Sequence, residues 1–172
     1  MIKVRKESDE VFYPEEEHIF FNKSTIRWIK NLCSKNLSGK IRLCTHRSEN
    51  DNLHEMLIVH NKDYYVRPHK HIDRIESMFV LEGEVDYIIF DDIGNIKKIL
   101  KMGDQYSGKI FYNKLDKPYY HMLIIRSDFL VFHEITTGPF AKNKTIFPDW
   151  APKEYKSDFK EKINNLVSKF EK

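Results

Sequence analysis

The sequence predicts a mainly β protein: a sandwich or barrel of short antiparallel strands, preceded by a short helix and followed by an amphipathic one. Three observations predict it. From Lys40 to about Thr137, short runs rich in branched and aromatic residues recur, separated by turn signals such as Asn61-Lys62-Asp63 and Glu82-Gly83-Glu84. Ahead of them, Ile26, Ile29 and Leu32 or Cys33 fall at helical spacing. Behind them, Tyr155, Phe159, Ile163, Leu166 and Phe170 form a stripe on one helical face.

In chain order, residues 1–22 mix charges with Val11, Phe12 and Tyr13 and are expected to hold a short strand or two. Ser24 is the expected cap of a helix running to about residue 36, with Asn36-Leu37-Ser38-Gly39 as its stop. The strands expected next are 41–45, 55–60, 64–68, 77–81, 85–90, 96–100, 121–126 and 129–136. Pro152 suits the first turn of the last helix, which is expected to pack on the barrel or on a second subunit. The expected organisation is one structural domain: an N-terminal extension (1–38), a β-barrel (39–140), and a C-terminal loop and helix (141–172).

A length of 172 residues allows a real core, and 13% aromatic residues provide large apolar areas to bury. The net charge is +3 with acids and bases interleaved, which argues against nucleic acid as a partner. No uninterrupted apolar run reaches the length of a membrane span, and Met1 to Glu7 lack the apolar run of a signal peptide. Cys33 and Cys44 are the only cysteines and form no CxxC pair, so a reducing, cytoplasmic setting is expected.

The chemistry concentrates in His69-Lys70-His71. Residues i and i+2 of a strand share a face, so both imidazoles can meet one ion. Ile72-Asp73-Arg74-Ile75 can turn the chain and return Glu76 beside them. Imidazole and carboxylate suit one divalent transition metal per chain, with Fe, Mn, Zn and Ni all compatible. A third imidazole is needed from another strand. His121, at the start of the apolar run Met122 to Ile125, is the leading candidate and His133 the fallback. Such a set leaves open positions on the ion, as catalytic sites do.

His69-x-His71-x4-Glu76-x6-Gly83 resembles the first motif of the cupins, and Gly103-Asp104 resembles the opening of their second, with His121 at its ligand position. The second motif departs at Asp116, Pro118 and Ile125. The resemblance implies a cupin double-stranded β-helix, a jelly-roll barrel, with His69, His71, Glu76 and His121 as its metal ligands. A narrower resemblance, to the WbuC family of cupin-fold metalloproteins, rests on Arg42-Leu43-Cys44-x-His46, Met56-Leu57-Ile58, Glu134 with Gly138-Pro139-Phe140, and Trp150-Ala151-Pro152-x-Glu154. That family is linked to bacterial surface-polysaccharide loci.

Strand parity adds residues around the ion. Tyr65 and Arg67 share the face of His69 on an unbroken strand, and Arg67 could hold a carboxylate or phosphate through its fork of donors. Tyr119 shares the face of His121 and, with His133, is a candidate for moving a proton. His46 and His54 lie in a polar stretch and are expected at the surface. Three functions follow: a metal-dependent isomerase or epimerase of a sugar or nucleotide-sugar in surface-polysaccharide biosynthesis; an Fe(II) dioxygenase; or a non-catalytic sugar-binding module organised by the metal. A homodimer is expected, since cupins commonly pair and the terminal helical stripe offers a surface.

Overall fold

The computed structural model describes residues 2–154 and 156–170. Twelve strands and two helices follow one another: β1 (Val4–Lys6), β2 (Val11–Pro14), α1 (Lys23–Lys35), β3 (Lys40–Cys44), β4 (Leu53–Asn61), β5 (Lys70–His71), β6 (Glu76–Glu82), β7 (Glu84–Phe90), β8 (Ile96–Gly103), β9 (Tyr112–Leu115), β10 (Tyr120–Ile125), β11 (Phe129–Thr137), β12 (Thr145–Ile146) and α2 (Ser157–Phe170). One sheet runs β1-β2-β3-β4-β11-β6-β9, a second runs β10-β7-β8, and β12 pairs with β5. An isolated bridge from His69 to His121 stitches the segment before β5 onto β10.

Alternation along the strands distributes side chains among three cores. Between the two sheets lie Met56, Ile58, Met78 and Val80 of the larger sheet, against Val85, Tyr87, Leu123 and Ile125 of the smaller one. Leu57, Val59 and Val131 point the other way and meet Ile29 and Cys33 of α1. Ile88, Phe90 and Met122 point outward from the smaller sheet and meet Phe159, Ile163 and Val167 of α2. A sheet covered on both faces reads as a continuous apolar run, which explains Met56-Leu57-Ile58-Val59.

Several boundaries differ from expectation. Asn22, not Ser24, caps α1: its side chain accepts from the Ser24 and Thr25 amides, and the Thr25 hydroxyl accepts from the Asn22 amide. Residues 64–68 form no ladder, so the expected strand there is absent. α2 begins at Ser157 rather than at Pro152; Tyr155 of the expected stripe lies outside the described residues. The short strands β9 and β12 carry too few residues to show a period. Among the described residues no helix is long and apolar enough to cross a membrane.

Candidate metal centre and cavity

Backbone pairing brings the imidazoles together. The His69 amide donates to the His121 carbonyl at 3.1 Å and the His121 amide returns the bond at 2.9 Å, placing the two residues directly opposite. His71, on β5, pairs with Thr145 of β12. Asp73 turns the chain at φ 62°, a left-handed value that Asp tolerates, and Glu76 opens β6 beside the histidines. Ring centroids stand 4.5 Å apart for His69 and His121, 4.9 Å for His69 and His71, and 5.9 Å for His71 and His121. One ring nitrogen from each histidine lies within 4.8 Å of the others.

The other ring nitrogens fix orientation. His69 Nδ1 donates to the Arg67 carbonyl (2.7 Å), His121 Nδ1 donates to the Tyr119 carbonyl (3.1 Å), and His71 Nδ1 meets the Thr145 hydroxyl at 3.0 Å. All three Nε2 atoms are thereby left for the centre, the arrangement that outer partners impose on metal-binding histidines. Glu76 completes the cluster, with Oε1 2.9 Å from His121 Nε2 and Oε2 3.5 Å from His71 Nε2. The Tyr87 hydroxyl donates to Glu76 Oε1 at 3.0 Å.

Burial pushes the imidazolium of His69 down to about 3, helped by the neighbouring histidines. Burial likewise takes His71 down to about 4 against the pull of Glu76. Both are neutral, ligand-competent imidazoles at neutral pH. Burial also opposes charge on His121 and Glu76, but their mutual attraction outweighs it. It raises the first and holds the second well below the usual carboxylate range. Three Nε2 donors and a carboxylate, each oriented from behind, fit a divalent transition ion.

The cluster sits in one wall of a cavity of about 610 Å³ between the sheets, a volume in the range of small-molecule sites. One row of the larger sheet crosses its floor from Cys44 through Met56, Glu134 and Met78 to Asn113, each directly opposite the next. A neighbouring row runs His54, Thr136 and Glu76, so Glu134 lies one inward step along β11 from the residue that pairs with Glu76. Burial, then the charge of Glu76, raises the Glu134 carboxyl to about 7. Among the described residues, five buried side-chain atoms have no hydrogen-bond partner: Arg42 Nε, His54 Nε2, His60 Nδ1, Arg74 Nη2 and Thr136 Oγ1. All five residues line this cavity.

Of the residues expected around the ion, the structure brings His69, His71, Glu76 and His121 together and leaves others out. His133 points to the outer face of the larger sheet, 3.8 Å from Glu55, because Phe132 and Glu134 take the inner positions on β11. It is therefore neither a fallback ligand nor a proton carrier in the cavity. Tyr119 packs against the inter-sheet core beneath Lys97 and does not line the cavity. Tyr65 and Arg67 do line it, but their polar atoms face the C-terminal segment. Tyr65 donates to the Pro152 carbonyl at 3.2 Å, while Arg67 donates through Nε and Nη2 to the Ala151 carbonyl and lies over the Phe147 ring. His46 and His54 are not surface residues. They stack at 4.1 Å in the cavity wall, with His54 buried. Arg74, His60 and Tyr87 had no separate sequence signal, because each comes from a different strand or loop, and Glu134 entered only through the resemblance that its run to Gly138-Pro139-Phe140 carries.

A family model described as a domain of unknown function, DUF6016, matches residues 27–102, a span that holds His69, His71 and Glu76 but not His121. No curated protein matches the chain. Among solved structures, protein SO0799 from Shewanella oneidensis is similar at 12% identity and a TM-score of 0.53, over 65% of this chain and 75% of that one. The capsular polysaccharide assembling protein CapF from Staphylococcus aureus is similar at 14% identity and a TM-score of 0.51, over 66% of this chain and 32% of that one. Procruciferin, the 11S globulin of Brassica napus, is similar at 11% identity and a TM-score of 0.50, over 65% of this chain and 28% of that one. The chain thus spans about three-quarters of the first protein and a third or less of the other two. The fold is that of the cupins, a mainly β jelly roll, here carrying a histidine cluster suited to a metal.

Proposed function

We propose that this chain is a metal-dependent cupin of the WbuC type that isomerises or epimerises a sugar or nucleotide-sugar in surface-polysaccharide biosynthesis, working as a cytoplasmic homodimer. One observation carries the reading. Three Nε2 atoms and the Glu76 carboxylate converge in the wall of a cavity that also holds five buried polar atoms without a partner. Such atoms call for a ligand rich in hydrogen-bonding groups, and a sugar has them. The similarity to a capsular polysaccharide assembling protein agrees with that context.

His69, His71, Glu76 and His121 would hold the ion, which when bound polarises a carbonyl or vicinal hydroxyls. Glu134 would take and return the proton. It faces the same cavity, and a carboxyl raised to about 7 is suited to exchange near neutral pH. His54 and Thr136 would orient hydroxyls through their unpartnered atoms, and Phe140 and Phe147 would shield the mouth from water.

The test is metal analysis by plasma mass spectrometry on protein purified without a histidine tag, followed by the metal-loaded protein against a panel of nucleotide-sugars. Interconversion with solvent-hydrogen exchange at one sugar carbon is expected. Oxygen consumption on anaerobic loading followed by air would instead establish the Fe(II) dioxygenase alternative. Saturable binding without turnover would leave a sugar-binding module.

A further inference from the structure

We infer that Arg42 and Arg74 form an oxyanion-binding subsite beside the metal centre, so that the ligand carries a carboxylate or phosphate in addition to its hydroxyls. The inference rests on reading the cavity as a ligand site. It adds the charge class of what binds there.

Arg42 reaches the cavity because of strand parity. Its ladder partner is Ile58, whose own partner across β4 and β11 is Phe132, and both belong to the inter-sheet core. Its neighbours Ile41 and Leu43 pack under α1 instead. Arg74 arrives from another side, in the turn between β5 and β6, with its guanidinium 4.8 Å above the Phe140 ring. Both side chains line the same cavity as His71 and Glu76.

Both guanidiniums present a buried donor without a partner, Nε of Arg42 and Nη2 of Arg74. Elsewhere the chain supplies partners to such groups. Arg126 donates through Nε and Nη2 to the buried Asp86, and Arg67 through the same two atoms to the Ala151 carbonyl. Leaving a buried guanidinium donor without an acceptor on each of two arginines is costly unless a ligand supplies one. A guanidinium offers the planar fork that carboxylate and phosphate fit. Glu134 and Glu49 are the other carboxylates of the wall besides Glu76, and neither is ion-paired with Arg42 or Arg74 among the described residues.

The experiment is calorimetric titration of the full, metal-loaded chain with D-glucuronate, D-glucose 6-phosphate and neutral D-glucose. At least one acidic sugar should bind about tenfold or more tightly than glucose, with affinity falling as salt is raised. Preference for the uronate or for the phosphate ester identifies the source of the anion. Arg42→Gln and Arg74→Gln should each lose about tenfold on the acidic sugar while keeping the metal content and the weak response to glucose. Arg42→Lys and Arg74→Lys, which keep the charge but not the fork, serve where a Gln variant does not fold and should fall between. The subsite is overturned if acidic and neutral sugars bind alike, if no acidic sugar binds, or if the variants retain the preference. Arginine-dependent acid binding in a chain that takes up no metal would sink the proposed enzyme and leave the subsite standing. Metal uptake and turnover of neutral sugars without arginine dependence would do the reverse.

Discussion

Replacing Gly83 with alanine tests how tightly the turn after the Glu76 strand is held. Gly83 sits between β6 and β7 at φ 91°. An added Cβ would overlap the Phe129 carbonyl oxygen and stand 2.5 Å from Ser127 Oγ. Neither can retreat freely, because Ser127 Oγ donates to that carbonyl at 2.7 Å and accepts from the Glu84 amide at 2.9 Å. The left-handed backbone costs an L-residue about 1–2 kcal/mol, and forcing atoms into occupied space about 1–3 more. The reduced freedom of the unfolded chain returns about 0.4–1 kcal/mol. The net loss is about 1–4.6 kcal/mol, a fall in melting temperature of about 2–18 °C for a chain of this size. Gly108 is the control: it shares the positive φ, at 73°, but its Cβ would meet nothing within 4 Å. Gly108→Ala should therefore lose about 0–1.5 kcal/mol. Thermal unfolding followed by circular dichroism compares the two. Equal melting temperatures for Gly83→Ala and Gly108→Ala would refute the packing argument.

Three further outcomes are expected. His69→Ala and His71→Ala should each abolish stoichiometric metal binding, read by plasma mass spectrometry, with the far-ultraviolet spectrum retained because the inter-sheet core excludes both residues; one equivalent of metal in both variants would contradict the ligand assignment. Glu134→Gln should stabilise the metal-free chain at pH 8 and do nothing at pH 4. A carboxyl raised from the usual 4.5 to about 7 on folding supports the fold below the lower value and loses that support as pH rises through the upper one, and the variant escapes the loss. Denaturant titrations at both pH values measure it, and a wild-type chain that is no weaker than the variant at pH 8 would contradict the assignment. Cys33 and Cys44 are buried, and burial pushes both thiols up to about 11, so a thiol reagent at pH 8 should react with neither until denaturant exposes two per chain.

The cluster of His69, His71 and Glu76 was legible because it is local. His69, His71 and Glu76 lie within eight residues, where the two-residue period of a strand decides who faces whom. His121 needed only the inference that a second strand starts beside them, and backbone bonds between residues 69 and 121 supply that meeting. Glu134 and Arg42 were not legible as cavity groups. β11 is covered on both faces, so Phe129 to Phe132 are apolar throughout and carry no phase, while the alternation Lys40-Ile41-Arg42-Leu43 reads Arg42 as facing solvent. The same ambiguity left His133 as the fallback ligand and a candidate proton carrier, when the packing of Leu130 and Phe132 against the opposite sheet turns it outward. His46 and His54 were hidden by composition: a polar stretch reads as surface even where it lines a cavity. Residues 64–68 have the look of a strand but meet no ladder partner; Tyr64 and Val66 pack on the inter-sheet core, while Tyr65 and Arg67 meet the C-terminal segment.

That last contact gives the C-terminal segment a hold on the metal centre. Residues 64–68 run directly into His69, and the Ala151 and Pro152 carbonyls hold them through Arg67 and Tyr65. Ala151 is itself anchored in the core beneath α2. The helix, the tether and the first histidine are thus links in a mechanical series, and the carbonyl of Arg67 that orients the His69 ring is one of those links. A load that lifts α2 off the smaller sheet has a path to the His69 ring through the Ala151 and Pro152 carbonyls.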